Sequence, residues 1–136
     1  MVLSRAGTFK QTDRDWYSNG NSEGSSRVGE RDRFRGCLLG LACGDATGIT
    51  VEFQRRGAFP PVTDMVGGGL FNLYPSEWTG DTSMTLCLAT SLAELGRFDA
   101  EDQMRRYRKW MDEGYPSSNG RFFDVGNTVK DALDRF

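Results

Sequence analysis

Apolar residues recur at helical spacing in the second half of the chain. The clearest stripe has the i, i+4, i+8, i+11 spacing of a core-facing helix ended by Gly96 and consists of Met84, Leu88, Leu92 and Leu95. A second stripe, between an N-capping Asp99 and a closing Gly114, consists of Met104, Tyr107, Trp110 and Met111. A last helix, capped by Asn127 or Thr128, is expected to carry Val129, Ala132, Leu133 and Phe136. The pattern predicts an all-α fold.

An earlier helix is expected from near Arg33, and glycine marks one side of it. The glycines recur every four residues, at Gly36, Gly40, Gly44 and Gly48. Each costs a helix about 1 kcal/mol relative to alanine, so we expect close packing against another backbone to offset that loss. The apolar residues between them predict a buried helix that frays near Gly48, with Asp45 and Glu52 at or beyond its end.

Two segments lack helical periodicity. Residues 55–77 contain prolines and the glycine triplet Gly67–Gly69, which predict a long structured loop. Residues 1–30 are rich in serine and glycine and poor in aliphatic side chains, so they are predicted to be a disordered polar tail. A single helical domain is expected over residues 31–136.

Composition and charge exclude several classes of protein. The 38% of apolar residues fit a soluble globular domain, and 17 basic against 19 acidic residues leave a net charge of −2. No clustered basic face predicts binding to nucleic acid. No apolar run approaches the roughly 20 residues that cross a membrane, and no signal peptide is evident, so a cytoplasmic protein is expected.

The residue types also limit the chemistry available. The chain has no histidine, and its three cysteines form no CxxC pair, so the usual zinc ligands and the usual general base are missing. We expect Cys37, Cys43 and Cys87 to be buried and reduced. Carboxylates, hydroxyls and a hard metal ion must therefore carry any catalysis.

Three groups of oxygen-bearing side chains are candidates for that chemistry. Thr79 and Asp81 precede a helix, where they either cap its N-terminus or belong to a Mg²⁺ site. Asp45 and Glu52 are either solvent-facing acids at a helix end or carboxylates that need a partner. Asp124 either forms an Asx-turn or presents its carboxylate to a ligand.

Five motifs in order resemble one known family. They are Gly36–Ala46, Val51–Phe53, Phe59–Met65 with the glycine triplet, Trp78–Met84, and Ser117–Gly120 continuing through Phe123–Thr128. Over about residues 33–136 the chain resembles the N-terminal portion of an ADP-ribosylglycohydrolase, close to the dinitrogenase-reductase-activating type.

The resemblance implies an all-helical hydrolase that uses two Mg²⁺ (or Mn²⁺) ions. Such enzymes cleave the glycosidic bond between ADP-ribose and a modified protein side chain, arginine in this branch, so the implied partners are ADP-ribosylated protein or ADP-ribose. Carried over by motif, Thr79 and Asp81 are metal ligands, and Glu52 and Asp81 are catalytic residues beside the metal. Asp124, Gly126 and Asn127 contact the ADP-ribose.

The sequence departs from the family pattern in two places. Gly80 stands where the family has the first of two aspartates, which predicts one metal ligand fewer. A second aspartate-rich motif would lie beyond Phe136, so the C-terminal part of the fold is expected to be absent from this chain. Two hypotheses follow: an ADP-ribosylglycohydrolase, or a truncated or degenerate non-catalytic remnant that binds ADP-ribose.

Overall fold

A computed structural model describes residues 28–136 of the protein, so nearly all of the predicted tail, residues 1–30, lies outside the described residues. The elements in chain order are α1 (Glu30–Gly48), a short 3-10 helix (Ile49–Val51), α2 (Gly80–Leu95), α3 (Ala100–Glu113) and α4 (Asn127–Arg135). The described residues form no strand and have one isolated antiparallel bridge between Gly68 and Leu73. The predicted all-α fold and the irregular segment 55–77 are confirmed, and α1 begins three residues before Arg33.

The predicted ends of the middle helices are confirmed. Asp99 caps α3, since its Oδ1 accepts a hydrogen bond of 3.0 Å from the backbone N–H of Asp102. Gly96 and Gly114 end α2 and α3 with left-handed φ angles of 64° and 72°. For α4 the predicted cap is wrong by one residue, because Gly126 is the last residue with extended backbone and occupies the N-cap position.

Helix α2 buries a different face from the one its leucines predict. The residues that it buries are small, namely Gly80, Thr82, Ser83, Cys87 and Ser91, whereas Leu92 and Leu95 are 41% and 39% exposed. Small side chains let α3 approach closely, and the Cys87 thiol donates to the Arg106 carbonyl across the helix pair at 3.6 Å. The predicted core-facing stripe is therefore wrong for Leu92 and Leu95, whereas Met84 and Leu88 are half-buried.

Helix α1 is exposed, contrary to the prediction of a buried helix. Ala46 is its one buried residue, and apart from the adjacent backbone of the helix itself, no described atom lies within 4 Å of where a β-carbon would stand at any of its four glycines. Cys37 and Cys43 are also exposed, so of the three cysteines Cys87 alone is buried as expected. The reason is that α1 meets the described helices only near its C-terminal end, beside α2.

Within residues 28–136, no helix has the length and apolar character needed to cross a membrane.

Candidate active site

Asp45 joins the last turn of α1 to the first turn of α2. Its carboxylate accepts hydrogen bonds from the Thr79 hydroxyl at 2.7 Å and the Thr79 backbone N–H at 3.0 Å. It also accepts from the Thr82 hydroxyl at 2.6 Å and the Thr82 N–H at 3.1 Å. Both threonines are buried, and hydrogen bonds to an ionised acceptor are stronger than neutral ones. The Asp45 carboxylate is therefore hydrogen-bonded within the protein and is not a solvent-facing acid.

Asp124 reaches the same helix end from the loop before α4. Its Oδ2 accepts the Gly80 N–H at 3.3 Å, and its backbone has a left-handed φ of 54°. The loop is held by aromatic contacts on either side of it. The Phe122 ring meets the fully buried Trp110 edge-on at 4.7 Å between centroids, and Phe123 meets Phe71 at 5.3 Å. Two carboxylates from separate elements thus cap α2.

These groups line one open cleft of about 650 Å³. Its polar wall consists of Asp45, Glu52, Thr79, Asp81 and Asp124, and Gly126 completes the rim. The glycine edge of α1 also lines the cleft, through Gly40, Gly44 and Gly48. The structure therefore brings together all the sequence-predicted site residues except Asn127, which begins α4 and does not line the cleft.

The cleft is electrostatically negative around Glu52. Partial loss of hydration raises the pKa of the Glu52 carboxyl above its ordinary value, and the neighbouring carboxylates of Asp124, Asp81 and Asp45 raise it further. A like charge nearby disfavours ionisation, and a bound cation would relieve that repulsion. The site is therefore suited to a positively charged ligand.

The donor atoms fit a hard cation in type but do not complete its coordination. The Thr79 hydroxyl gives its proton to Asp45, so toward a ligand its oxygen acts through its lone pairs. With the carboxylate of Asp81 this offers oxygen ligands of the kind that Mg²⁺ takes. No three cysteine, aspartate or glutamate side chains of the described residues converge closely enough to hold a metal ion by themselves.

The role of Asp45 was the part of the site that the sequence did not reveal. The sequence placed Asp45 at a helix end, but its hydrogen-bond partners Thr79 and Thr82 lie 34 and 37 residues away, beyond the reach of a local pattern. Two glycines of the triplet have a structural role. A β-carbon at Gly67 or Gly69 would collide with the main chain of Leu73 or Ile49, and both glycines have positive φ angles.

Comparison with known proteins identifies the class to which this helical cleft belongs. The sequence matches the ADP-ribosylglycohydrolase family over residues 26–136, and the chain belongs to that family. It is 50% identical over 105 residues to the ADP-ribosylarginine hydrolase Tri1 of Serratia proteamaculans (strain 568), covering 77% of this chain and 28% of the relative. The ADP-ribosyl-[dinitrogen reductase] glycohydrolase of Rhodospirillum rubrum is 38% identical over 109 residues, with 77% and 35% covered.

A solved structure gives the same assignment. The chain matches an ADP-ribosylglycohydrolase-related protein complex with a TM-score of 0.63 and 45% identity, over 77% of this chain and 32% of that one. The chain thus spans about a third of the length of the relatives that it matches.

Proposed function

We propose that this chain forms the N-terminal part of an active site that hydrolyses ADP-ribosylated arginine. The observation that carries the proposal is the 50% identity to an ADP-ribosylarginine hydrolase over 105 residues, a stretch longer than the whole region from which the cleft is built. The residues expected to act, Glu52, Thr79, Asp81, Asp124 and Gly126, line that one cleft.

Thr79 and Asp81 are the proposed ligands of Mg²⁺ (or Mn²⁺), of which the family site takes two. The bound ions would supply charge stabilisation for the oxygens of the reacting ribose and its attacking water. Asp45 supports this part of the site, because it fixes the Thr79 hydroxyl in one orientation. The completed site needs further ligands beyond those of the described residues.

Glu52 is the proposed proton-transfer group. Hydrolysis breaks the bond between the ribose anomeric carbon and the arginine nitrogen. The attacking water supplies a hydroxyl to the carbon, and the leaving nitrogen gains the proton that this water gives up. Glu52 lines the cleft together with Thr79 and Asp81, where its carboxylate can accept a proton from the attacking water and pass one to the leaving nitrogen. The proposed contacts to ADP-ribose are Asp124, Gly126 and Asn127. Gly126 has no side chain, so the ligand can approach its backbone.

The test is hydrolysis of an ADP-ribosylarginine peptide in Mg²⁺ by this chain joined to the C-terminal part of the Serratia proteamaculans relative, of which the match covers 28%. Free ADP-ribose is detected by chromatography. Glu52→Gln should lower the rate by about 100-fold or more if Glu52 transfers a proton. Asp131→Asn, an exposed change on α4, is the matched control and should leave the rate unchanged. Release of ADP-ribose at the same rate by Glu52→Gln would refute the assigned role.

The second candidate is a module that binds ADP-ribose without turnover. It is favoured by the incomplete set of carboxylates in the described residues, which predicts little rise in Tm with sub-millimolar Mg²⁺. Calorimetric titration with ADP-ribose separates the two functions: binding that Asp124→Ala abolishes, without hydrolysis, supports the module. Neither binding nor hydrolysis would refute both for this chain.

A further inference from the structure

Gly80 lies where no β-carbon can be placed. It is the first residue of α2 and is buried. A β-carbon built on its backbone would fall within 3.0 Å of the Asp124 carbonyl oxygen, closer than real β-carbons approach other atoms. It would also lie 3.2 Å from the Asp124 carbonyl carbon and 3.4 Å from Cη2 of Trp110. The backbone of the loop before α4 therefore occupies the space that any larger residue would need.

This close approach is what brings the Asp124 carboxylate to the cleft. With the main chain of Asp124 against Gly80, its side chain turns back and accepts the Gly80 N–H. The loop cannot easily retreat to make room, because Phe122 packs edge-on against Trp110 behind it and Trp110 is fully buried. The left-handed φ of 54° at Asp124 is a conformation that aspartate tolerates better than most residues.

We propose that Gly80 is a positioning residue that sets Asp124 for contact with ADP-ribose. The inference rests on the proposed function, in which Asp124 touches the ligand. On this account the glycine is a requirement of this cleft and not simply a lost metal ligand. An aspartate at position 80 would add an oxygen donor, but its β-carbon would displace Asp124 from the helix end.

A double-mutant cycle on ADP-ribose affinity tests the proposal in the full 136-residue chain. Gly80→Ala should weaken binding by about tenfold or more, as should Asp124→Ala. Because both act through the same carboxylate, Gly80→Ala should add no further loss in the Asp124→Ala background. Gly36→Ala adds a β-carbon to an open position on α1 and should leave the affinity unchanged. Wild-type affinity in Gly80→Ala, or losses that add, would overturn the proposal.

A measurement without ligand separates this inference from the proposed function. In the wild-type background, Asp124→Ala should shift the NMR resonance of the residue-80 amide, because it removes the acceptor of that N–H. In the Gly80→Ala background the same change should shift it little, since Asp124 has already moved away. A chain that shows this pattern but binds no ADP-ribose refutes the function and keeps the positioning role. An equal shift in both backgrounds overturns the positioning role.

If Gly80→Ala does not fold, a second variant decides the question. Gly80→Ala/Asp124→Gly should regain the wild-type circular dichroism spectrum, because glycine at 124 frees the backbone to move its carbonyl away from the new β-carbon. If the double variant stays unfolded, freeing the backbone at residue 124 does not make room for a β-carbon at residue 80, and the proposal is wrong.

Discussion

The carboxylate of Asp45 accepts both hydrogen-bond donors of Thr79, its hydroxyl at 2.7 Å and its backbone N–H at 3.0 Å. The two residues are 34 positions apart, and their contact fixes the end of α1 against the start of α2. Since Thr79 is buried, any change that leaves its donors without an acceptor carries a desolvation penalty. The same contact orients the hydroxyl that faces the cleft, so stability and the site depend on one carboxylate.

Replacing Asp45 by asparagine should destabilise the domain by about 2–3 kcal/mol, because charge-assisted hydrogen bonds become neutral and the new amide group faces N–H donors. Urea denaturation measures the change. Asp131→Asn, at an exposed position of α4, should alter the free energy of unfolding by less than about 0.5 kcal/mol. If both variants unfold at the same urea concentration, Asp45 does not hold the two helices together.

Replacing Glu52 by glutamine should stabilise the protein at neutral pH. The folded-state pKa of Glu52 is raised above its ordinary value of 4.5, so the folded state binds the proton more tightly than the unfolded state. Wild-type stability should therefore fall as the pH rises from 4.5 through the raised pKa, and the penalty should persist above it. The gain from glutamine should be below about 1 kcal/mol, because Glu52 is largely exposed and solvent screens its charge.

Thermal unfolding of both proteins from pH 3 to pH 8 tests this dependence on Glu52. The two curves should coincide below about pH 4, where the carboxyl is protonated in both states, and separate above it with the variant more stable. A constant difference in Tm at every pH would show that ionisation of Glu52 is not its cause.

The three cysteines should react with iodoacetamide in two phases at pH 8. Cys37 and Cys43 are exposed, whereas burial raises the pKa of the Cys87 thiol to about 11, which leaves little of the reactive thiolate. Mass spectrometry should find two alkyl groups added rapidly to the native protein and a third only in urea. Cys87→Ser should remove the slow phase alone, and rapid addition of three groups would contradict the burial of Cys87.

Replacing Arg106 by lysine should weaken the contact between α2 and α3. The guanidinium bridges two carboxylates, with Nε 2.7 Å from Asp102 on its own helix and a terminal nitrogen 2.7 Å from Glu94 on α2. An ammonium group cannot reproduce that fork, so we expect a measurably lower urea midpoint, with a small change because solvent screens these partly exposed pairs. Arg105→Lys is the control, since exposed Arg105 pairs within α3 with Glu101, and an equal loss there would refute the bridging role.

The sequence predicted local features well, because they depend on neighbouring residues. The N-cap at Asp99 and the glycine ends of α2 and α3 follow from the chemistry of a few adjacent positions. Most of the cleft was also predicted, since the family motifs named Glu52 and Asp124. The contact of Asn127 with ADP-ribose and the metal ligation by Thr79 remain predictions.

Features that depend on distant contacts were not predicted. The leucine stripe of α2 suggested the wrong buried face, because small residues such as Ser83 and Cys87 allow closer approach by α3 than leucine does. Comparison with the family pattern identified Gly80 as a missing metal ligand. The structure adds that the backbone of Asp124 lies against Gly80. This contact joins residues 44 positions apart, so no local sequence pattern predicts it.

The glycine edge of α1 has a consequence for how long that helix persists. Where side chains are missing, water reaches the backbone carbonyls and competes for the hydrogen bonds of the helix, while the far end is anchored through Asp45 and Ala46. The amide protons near Gly36 should therefore exchange with deuterium much sooner than those near Ala46. Within the described residues, α1 is therefore expected to stay folded at the cleft while its N-terminal turns open and re-form without unfolding of the rest of the domain.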